Sequence, residues 1–403
     1  MKLLVLLPRV PYPLEKGDKL RAFYQIKELS KYHDIYLVAL QDKPLQSEEL
    51  EKALEKINPY CKEIYLFKLS WLSKFLGIVR AFLKGLPIQN GYFFSHRAKY
   101  NIEKLVNKIR PEHIYCFMIR MAEYVKKHKD CHKTLDYQDV LSIGMKRRAE
   151  KAPIWKKLVF LYEYQTLRRY EKKIFSCFTN KTIITSVDRD LIPHSQRQYI
   201  QVIPNGVDFE KFHYVRKEKK YDLIFAGNMS YPPNVDAALF LIKSIFPKLL
   251  AKFPNLKLCI CGANPVLAIK TLANVNIDVT GWVDEMPEYY AQSKIFIAPM
   301  RLGTGLQNKL LEAMAMKLPC VTSPLAGKPL ELPQHDSHDS HVHQDTQALL
   351  ICHTIDEYVE AISKLLNNKT FCRTIANNGY QFVKTHYDWE EIGKRLEEVM
   401  NED

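Results

Sequence analysis

At 403 residues the chain exceeds what one hydrophobic core organises, and two domains of roughly 200 residues are expected. An apolar content of 47% excludes a disordered chain, and no apolar run reaches the roughly 18 residues a membrane span needs. The charge is lopsided. Residues 1–200 hold 38 Lys and Arg against 21 Asp and Glu, whereas residues 201–403 hold 21 against 24. One half therefore faces something anionic, with nucleic acid, a membrane surface and a phosphorylated substrate as candidates. The nine cysteines are scattered without a Cys-x-x-Cys pair, so reduced thiols are expected rather than a disulfide framework or a zinc site.

Residues 3–7 form an unbroken apolar run, as in a strand covered on both faces. Pro8 and Arg9 follow with no small-residue cleavage site, so the run is a buried strand and not a leader peptide. Asp18 is placed to cap a helix over residues 19–32, and residues 34–40 are a second strand. This β-α-β unit predicts parallel α/β winding. Gly17 stands at its strand-to-helix turn, where a phosphate or sugar approaches in such folds; a plain tight turn is the alternative.

From Ile64 to Ile102 there is no acidic residue. Lys68, Lys74, Arg80 and Lys84 alternate there with Trp71, Phe75, Ile78, Val79 and Phe82. Residues 66–86 thus read as a basic amphipathic helix attached to anionic lipid, or else as a core helix with a solvated basic face. Strands follow at residues 113–118, 134–137 and 182–185, with a cationic helix over residues 151–175. The second of these strands ends at Asp139 and Ser142, a polar loop where ligands sit.

Residues 202–208, VIPNGVD, end the first half, and residues 210–220 are a charged linker. A new α/β run begins at Tyr221. Gly227 and Asn228 open its first strand-to-helix turn, and Asn234 is placed to cap the next helix. Strands at residues 256–261 and 275–280 follow, the second leading into Gly281, Trp282 and Val283. Residues 295–323 then read as strand, glycine turn, helix and strand. The turn is Gly303-Thr304-Gly305, followed by Leu306. Arg301 precedes it, and Lys309 and Glu312 share one helical face. A cationic glycine turn feeding a helix N-terminus suits a phosphate, and a carboxylate one turn on suits a sugar hydroxyl. Residues 334–345, QHDSHDSHVHQD, carry His335, His338, His341 and His343. They read as a polar surface insertion, with metal ligation as the alternative.

VIPNGVD, GNMSYPPNVDA, GWVDE and RLGTGLQNKLLEAMA, in this order, resemble family 4 glycosyltransferases over nearly the whole chain. The resemblance implies the GT-B fold: two doubly wound, Rossmann-like α/β domains with a cleft between them. Residues 1–200 would bind the acceptor and residues 201–387 the nucleotide-sugar, with residues 388–403 a helix returning to the first domain. It implies retention at the anomeric carbon and no required metal or cofactor; a UDP- or GDP-sugar is the donor substrate. Glu312 matches the family's ribose-binding glutamate, while Thr304 stands where the family usually has its other glutamate. Trp282 and Val283 match the base-contacting loop. Arg301 and Lys309 are the cations left to meet the diphosphate, because the family's Arg and Lys are missing from GNMSYPPN. Asp139 occupies the strand end where the family carries a histidine near the donor sugar. Arg301, Lys309 and Asp139 are therefore the catalytic candidates, and Gly17, Gly227, Asn228, Trp282, Val283, Gly303, Thr304, Gly305, Leu306 and Glu312 the donor-binding ones.

The expected activity is sugar transfer to a glycan or lipid-linked acceptor in surface polysaccharide or lipopolysaccharide synthesis. The expected location is the cytoplasm, peripheral on the inner face of the cytoplasmic membrane. A nucleotide-sugar epimerase is the second reading. A nucleic-acid-binding protein is the third, and it lacks any helix-turn-helix, zinc or aromatic-strand signature.

Overall fold

The computed structural model describes residues 1–14, 16–42, 46–303, 305–330 and 347–401. The chain divides into two compact units. One is Met1–Pro204 joined by the residues from Ile392, and the other is Asn205–Glu391.

The sheet of the first unit is built from β1 (Lys2–Leu7), β2 (Asp34–Gln41), β3 (Glu63–Lys68), β4 (His113–Phe117), β5 (His132–Asp136), β6 (Asn180–Ile183) and β7 (Gln201–Val202). Their spatial order is β3-β2-β1-β4-β5-β6-β7, and every pairing is parallel. Leu3 to Leu7 are all buried, as an unbroken apolar strand demands when helices cover both faces of a sheet. The order reverses between β1 and β4, the point where doubly wound sheets open a crevice at their carboxyl ends.

Two helices differ from expectation. The first runs Gly17–Leu29, and its N-cap is Lys16 without a side-chain bond. Asp18 lies inside the first turn and pairs with Arg9 at 3.3 Å instead of capping. The cationic helix runs Ile154–Ile174, close to its expected bounds, and a further helix not expected from the sequence, Leu141–Lys151, precedes it. Pro153 separates them, since proline is tolerated at a helix start and not within one.

One polar knot sits in this apolar core. Arg21 and Asp136 are fully buried and joined at 2.7 Å. Asp136 also accepts from Tyr115 Oη at 3.1 Å and from the Gln138 amide at 3.1 Å. Arg21 Nη1 donates to the Pro204 carbonyl at 3.1 Å, fixing the last residue of this unit to its first helix.

The helix Trp389–Asn401 supplies the returning residues. Ile392, Leu396, Val399 and Met400 are buried. A Cβ on Gly393 would stand 2.5 Å from Glu28 Cβ, so only glycine lets these helices approach so closely. Asn180 Nδ2 donates to the Val399 carbonyl at 2.6 Å, and His33 Nε2 meets Glu397 Oε2.

The second unit holds β8 (Tyr221–Ala226), β9 (Leu258–Cys261), β10 (Ile277–Gly281), β11 (Ser293–Ala298), β12 (Cys320–Thr322) and β13 (Leu350–Ile351). Their order is β10-β9-β8-β11-β12-β13, again all parallel. β10 starts two residues later than its apolar run. The Asn274 side chain accepts from the Asn276 and Ile277 amides, at 2.9 and 3.1 Å. That Asx turn leaves Val275 outside, 90% exposed. The order reverses between β8 and β11, and the segments after these two strands carry the candidate residues Gly227, Asn228, Gly303 and Lys309.

Candidate functional site

Two glycines let the loop after β8 form. Gly227 has φ +153°, and Gly262, after β9, has φ +134°. A Cβ on Gly262 would lie 2.0 Å from the Gly227 carbonyl oxygen, so two backbones touch where side chains normally keep them apart. The Gly227 amide donates to the Cys261 carbonyl at 2.9 Å, and the Met229 amide to that of Ala263 at 2.7 Å. Asn228 closes the loop, its Oδ1 accepting from the Ser230 amide at 2.9 Å and hydroxyl at 2.8 Å.

Asn234 does not cap the following helix. That helix begins at Pro232, whose lack of an amide hydrogen suits a first turn. Asn234 lies inside the turn and its amide points back into the loop. Nδ2 donates to the Asn228 carbonyl at 3.0 Å, and Oδ1 accepts from Lys309 Nζ at 2.5 Å.

Lys309 and Glu312 project from the helix Asn308–Ala315, after β11. The Lys309 ammonium lies 4.7 Å from the Phe225 ring centre and 3.7 Å from Met300 Sδ. Desolvation among these neighbours lowers its pKa to about 7, partly opposed by the Glu312 charge. Glu312 Oε2 accepts from the fully buried Tyr290 hydroxyl at 3.1 Å. Burial raises the Glu312 carboxyl, with Tyr290, Lys211 and Lys309 acting against it. No side chain caps this helix. Its first residue is instead held by Asn205 of the proline-asparagine-glycine turn, whose Nδ2 donates to Asn308 Oδ1 at 3.2 Å.

Arg301 is exposed and already engaged. It binds Asp236 through Nε at 3.1 Å and Nη2 at 2.7 Å, with its guanidinium 4.3 Å from the Phe240 ring centre. Its charge is thus balanced by a carboxylate on the helix after β8. Gly303 has φ +118° and Gly305 φ +72°, conformations that side chains resist. A Cβ on Gly303 would rest 3.6 Å from Pro233, so Gly303 lies against the first turn of the helix after β8. Leu306 packs on the apolar core. Thr304 lies outside the described residues, as do His335, His338, His341 and His343.

Trp282 follows Gly281, which has φ +75°. Its indole is 65% exposed and donates to Asp284 Oδ1 at 3.1 Å, while Val283 packs inward.

In the first unit, Gly17 is exposed at the start of its helix, with no atom within 4 Å of a built Cβ. Asp139 is accessible at the carboxyl end of β5. Surrounding protein raises its carboxyl to about 6, with Asp188 and Asp18 adding and Arg120 opposing. Ser142 is buried and committed. Its hydroxyl donates to Glu171 at 2.6 Å and its amide to the same carboxylate at 3.0 Å. Burial still pushes Glu171 up to about 7.

The second unit therefore brings Gly227, Asn228, Gly303, Lys309 and Glu312 to one edge of its sheet, and Asp139 and Gly17 belong to the first unit. Sequence reasoning did not find Asn234, Tyr290, Asp236 or Asn205 as partners of these groups. A polar residue at the third helical position beside two prolines was the available signal for Asn234.

Residues 220–368 match the family described as "Glycosyl transferases group 1". The chain is 23% identical, over 97% of both chains, to an uncharacterized 44.6 kDa protein in the cps region of Klebsiella pneumoniae. It is 24% identical to the capsular polysaccharide biosynthesis glycosyltransferase CapM of Staphylococcus aureus, over 49% of this chain and 53% of that one. Among solved structures, Anabaena Alr3699/HepE in complex with UDP superposes with a TM-score of 0.65 at 13% identity, over 99% of both chains. Residues 220–368 thus match the group 1 glycosyl transferases, and the chain as a whole has the GT-B fold.

Proposed function

We propose that the protein is a retaining glycosyltransferase of cell-surface glycan synthesis, moving a sugar from a nucleotide-sugar to a polysaccharide or lipid-linked acceptor. The observation that carries this reading is the Lys309 ammonium, held by Asn234 at 2.5 Å where the helices after β8 and β11 meet. A desolvated lysine beside a glycine-lined backbone fits a diphosphate, whose charge it balances without a metal. CapM, a capsule enzyme by name, and the UDP complex of Alr3699/HepE support the substrate class.

In this reading Lys309, Arg301 and the amides around Gly303 and Gly305 meet the diphosphate, beside Gly227 and Asn228. Glu312 accepts from the ribose hydroxyls, and Trp282 and Val283 meet the base. The bond from the anomeric carbon to phosphate oxygen breaks, and the acceptor oxygen forms the new bond on the same face of the sugar. The acceptor proton passes to the departing phosphate oxygen, and nucleoside diphosphate leaves with the bonding electron pair. Charge grows on the leaving phosphate, and that is where Lys309 acts. We assign acceptor recognition to the first unit, with Asp139 and Gly17 at its loops, and membrane contact to residues 66–86. Among the described residues no helix is long and apolar enough to cross a membrane.

Thermal-shift measurements with UDP-, GDP- and CMP-sugars test the reading. At least one should raise the unfolding temperature, and Glu312→Ala should abolish that rise while remaining folded. A folded wild-type protein indifferent to all three donors would overturn it.

A further inference from the structure

The helix Trp71–Leu83 is apolar on its outer side. Its buried positions are Gly77 and Ala81. They are small because the helix Ile88–Tyr92 approaches at backbone contact: a Cβ on Gly77 would meet the Gly91 carbonyl at 2.1 Å. Trp71, Phe75, Leu76, Phe82 and Leu83 face outward, between 56% and 78% exposed. A helix meant for water carries the opposite pattern.

A second helix extends this face. The Phe82 ring centre lies 5.6 Å from that of Tyr162, on Ile154–Ile174. The first turns of that helix expose Ile154, Trp155, Leu158 and Val159 between 54% and 83%, with Lys156 and Lys157 among them. Neither exposed segment contains an acidic residue.

The same two helices also wall a cavity of about 590 Å³. Arg80 and Lys84 enter it from the first and Lys173 from the second, with Lys99, Lys126 and Lys127 completing the cations. Its acids are Glu103 and Glu123. Glu123 is already bound by Arg80 at 3.2 Å and by Lys126, and Glu103 lies 3.8 Å from Lys99. Lys84, Lys127 and Lys173 are exposed and make no ion pair among the described residues.

We propose that this cavity binds the phosphate of an anionic phospholipid headgroup while the two apolar helix faces enter the same bilayer. Charge complementarity selects the occupant: cations without an ion pair among the described residues, Lys84 directly following Leu83, adjoin the acid-free apolar face of the first helix, and the two helices expose Trp71 and Trp155, residues suited to a lipid interface. The proposal deepens the membrane contact assigned above to residues 66–86, adding a second helix and a headgroup site.

The test is co-sedimentation of the full chain with phosphatidylcholine vesicles and with vesicles also containing phosphatidylglycerol. The wild type should prefer the anionic vesicles and lose the preference in high salt. Lys84→Gln/Lys127→Gln/Lys173→Gln should weaken that binding about a hundredfold, at about fivefold per cation, and Phe75→Ser/Phe82→Ser should weaken binding to both vesicle types. Equal binding to both vesicles by the wild type, or an undiminished triple variant, overturns the proposal. So does calorimetric binding of pyrophosphate, lost in the triple variant, by a chain that ignores vesicles; that result assigns the cavity to a soluble anion. A dimer in sedimentation equilibrium that Phe75→Ser/Phe82→Ser dissolves overturns it in favour of a second copy. Donor thermal shifts on the same samples separate the readings: vesicle binding lost with the donor shift intact fails the lipid site alone.

Discussion

Lys309 Nζ donates to Asn234 Oδ1 at 2.5 Å, tying the helix after β11 to the first turn of the helix after β8. The bond supplies a dipole and no counter-charge, and desolvation brings this lysine down to about 7 from its ordinary 10.5. A bound diphosphate would restore the charge, so donor binding should take up a proton above pH 7. Affinity should be greatest below pH 7 and fall as pH rises past it. Calorimetry of UDP-sugar binding in two buffers of different ionisation enthalpy measures this directly. Binding without proton uptake between pH 7 and 9 removes Lys309 from the diphosphate. The same shift acts on the ligand-free fold. Between about pH 7 and 10.5 the folded chain holds fewer protons at Lys309 than the unfolded chain. This residue's contribution to stability therefore rises with pH across that window, and Lys309→Met should flatten the rise.

Asn234 acts through its neighbours. Its Nδ2 holds the Asn228 carbonyl as its Oδ1 holds Lys309. Asn234→Ala should lower kcat/KM by about a hundredfold through misplacement of the lysine and the loop. Asn234→Asp supplies a formal charge in the same place and should move the pH midpoint of donor binding upward. An unmoved midpoint in the aspartate variant would show that the pair does not set the titration.

Tyr290 and Glu312 form a similar pair inside the second unit. Tyr290→Phe leaves a desolvated carboxylate without its hydroxyl donor, at a cost of about 1–3 kcal/mol in urea unfolding. Glu312→Ala removes the carboxylate itself and should cost donor affinity far more than stability. Wild-type donor affinity in Glu312→Ala would take the residue out of the site.

Two glycines with positive φ make a controlled comparison. Gly262→Ala places a Cβ 2.0 Å from the Gly227 carbonyl and should cost more than about 4 kcal/mol or prevent folding. Gly281→Ala, at φ +75° in open space, pays only the conformational penalty of about 1–2 kcal/mol. Equal thermal midpoints for the two variants would refute the role given to backbone contact.

Arg21 and Asp136 are a buried ion pair in the core of the first unit. Arg21→Met should destabilise by about 3–5 kcal/mol, because it strands a carboxylate in the core. Arg21→Met combined with Asp136→Leu should cost less than the two single changes added together. Strict additivity in denaturant unfolding would show that the two charges do not interact.

The doubly wound architecture was legible because parallel strands buried on both faces leave continuous apolar runs, as at residues 3–7 and 295–298. The glycines of the turn after β11 were legible for a related reason: φ +118° and φ +72° permit little but glycine. What escaped was the partner of each polar group. Asn234 reads as a helix cap from its position alone, and its true bond crosses 75 residues of chain. Arg301 reads as an unengaged cation because Asp236 lies 65 residues away. Arg21 sits in a helix whose sequence gives no sign that its charge is buried, since Asp136 is 115 residues distant. Local pattern records which face of an element is apolar. It does not record which distant side chain meets a polar one.

The returning helix has a consequence for synthesis. The second unit is continuous in sequence, whereas the first needs Ile392, Leu396, Val399 and Met400 to complete its core. On the ribosome, the earlier-made part must wait through nearly the whole of translation for its final apolar contacts. The later-made part has all of its residues first. A chain arrested before residue 392 would present an ordered second unit behind an unfinished first one, a state that chaperones and proteases are equipped to notice.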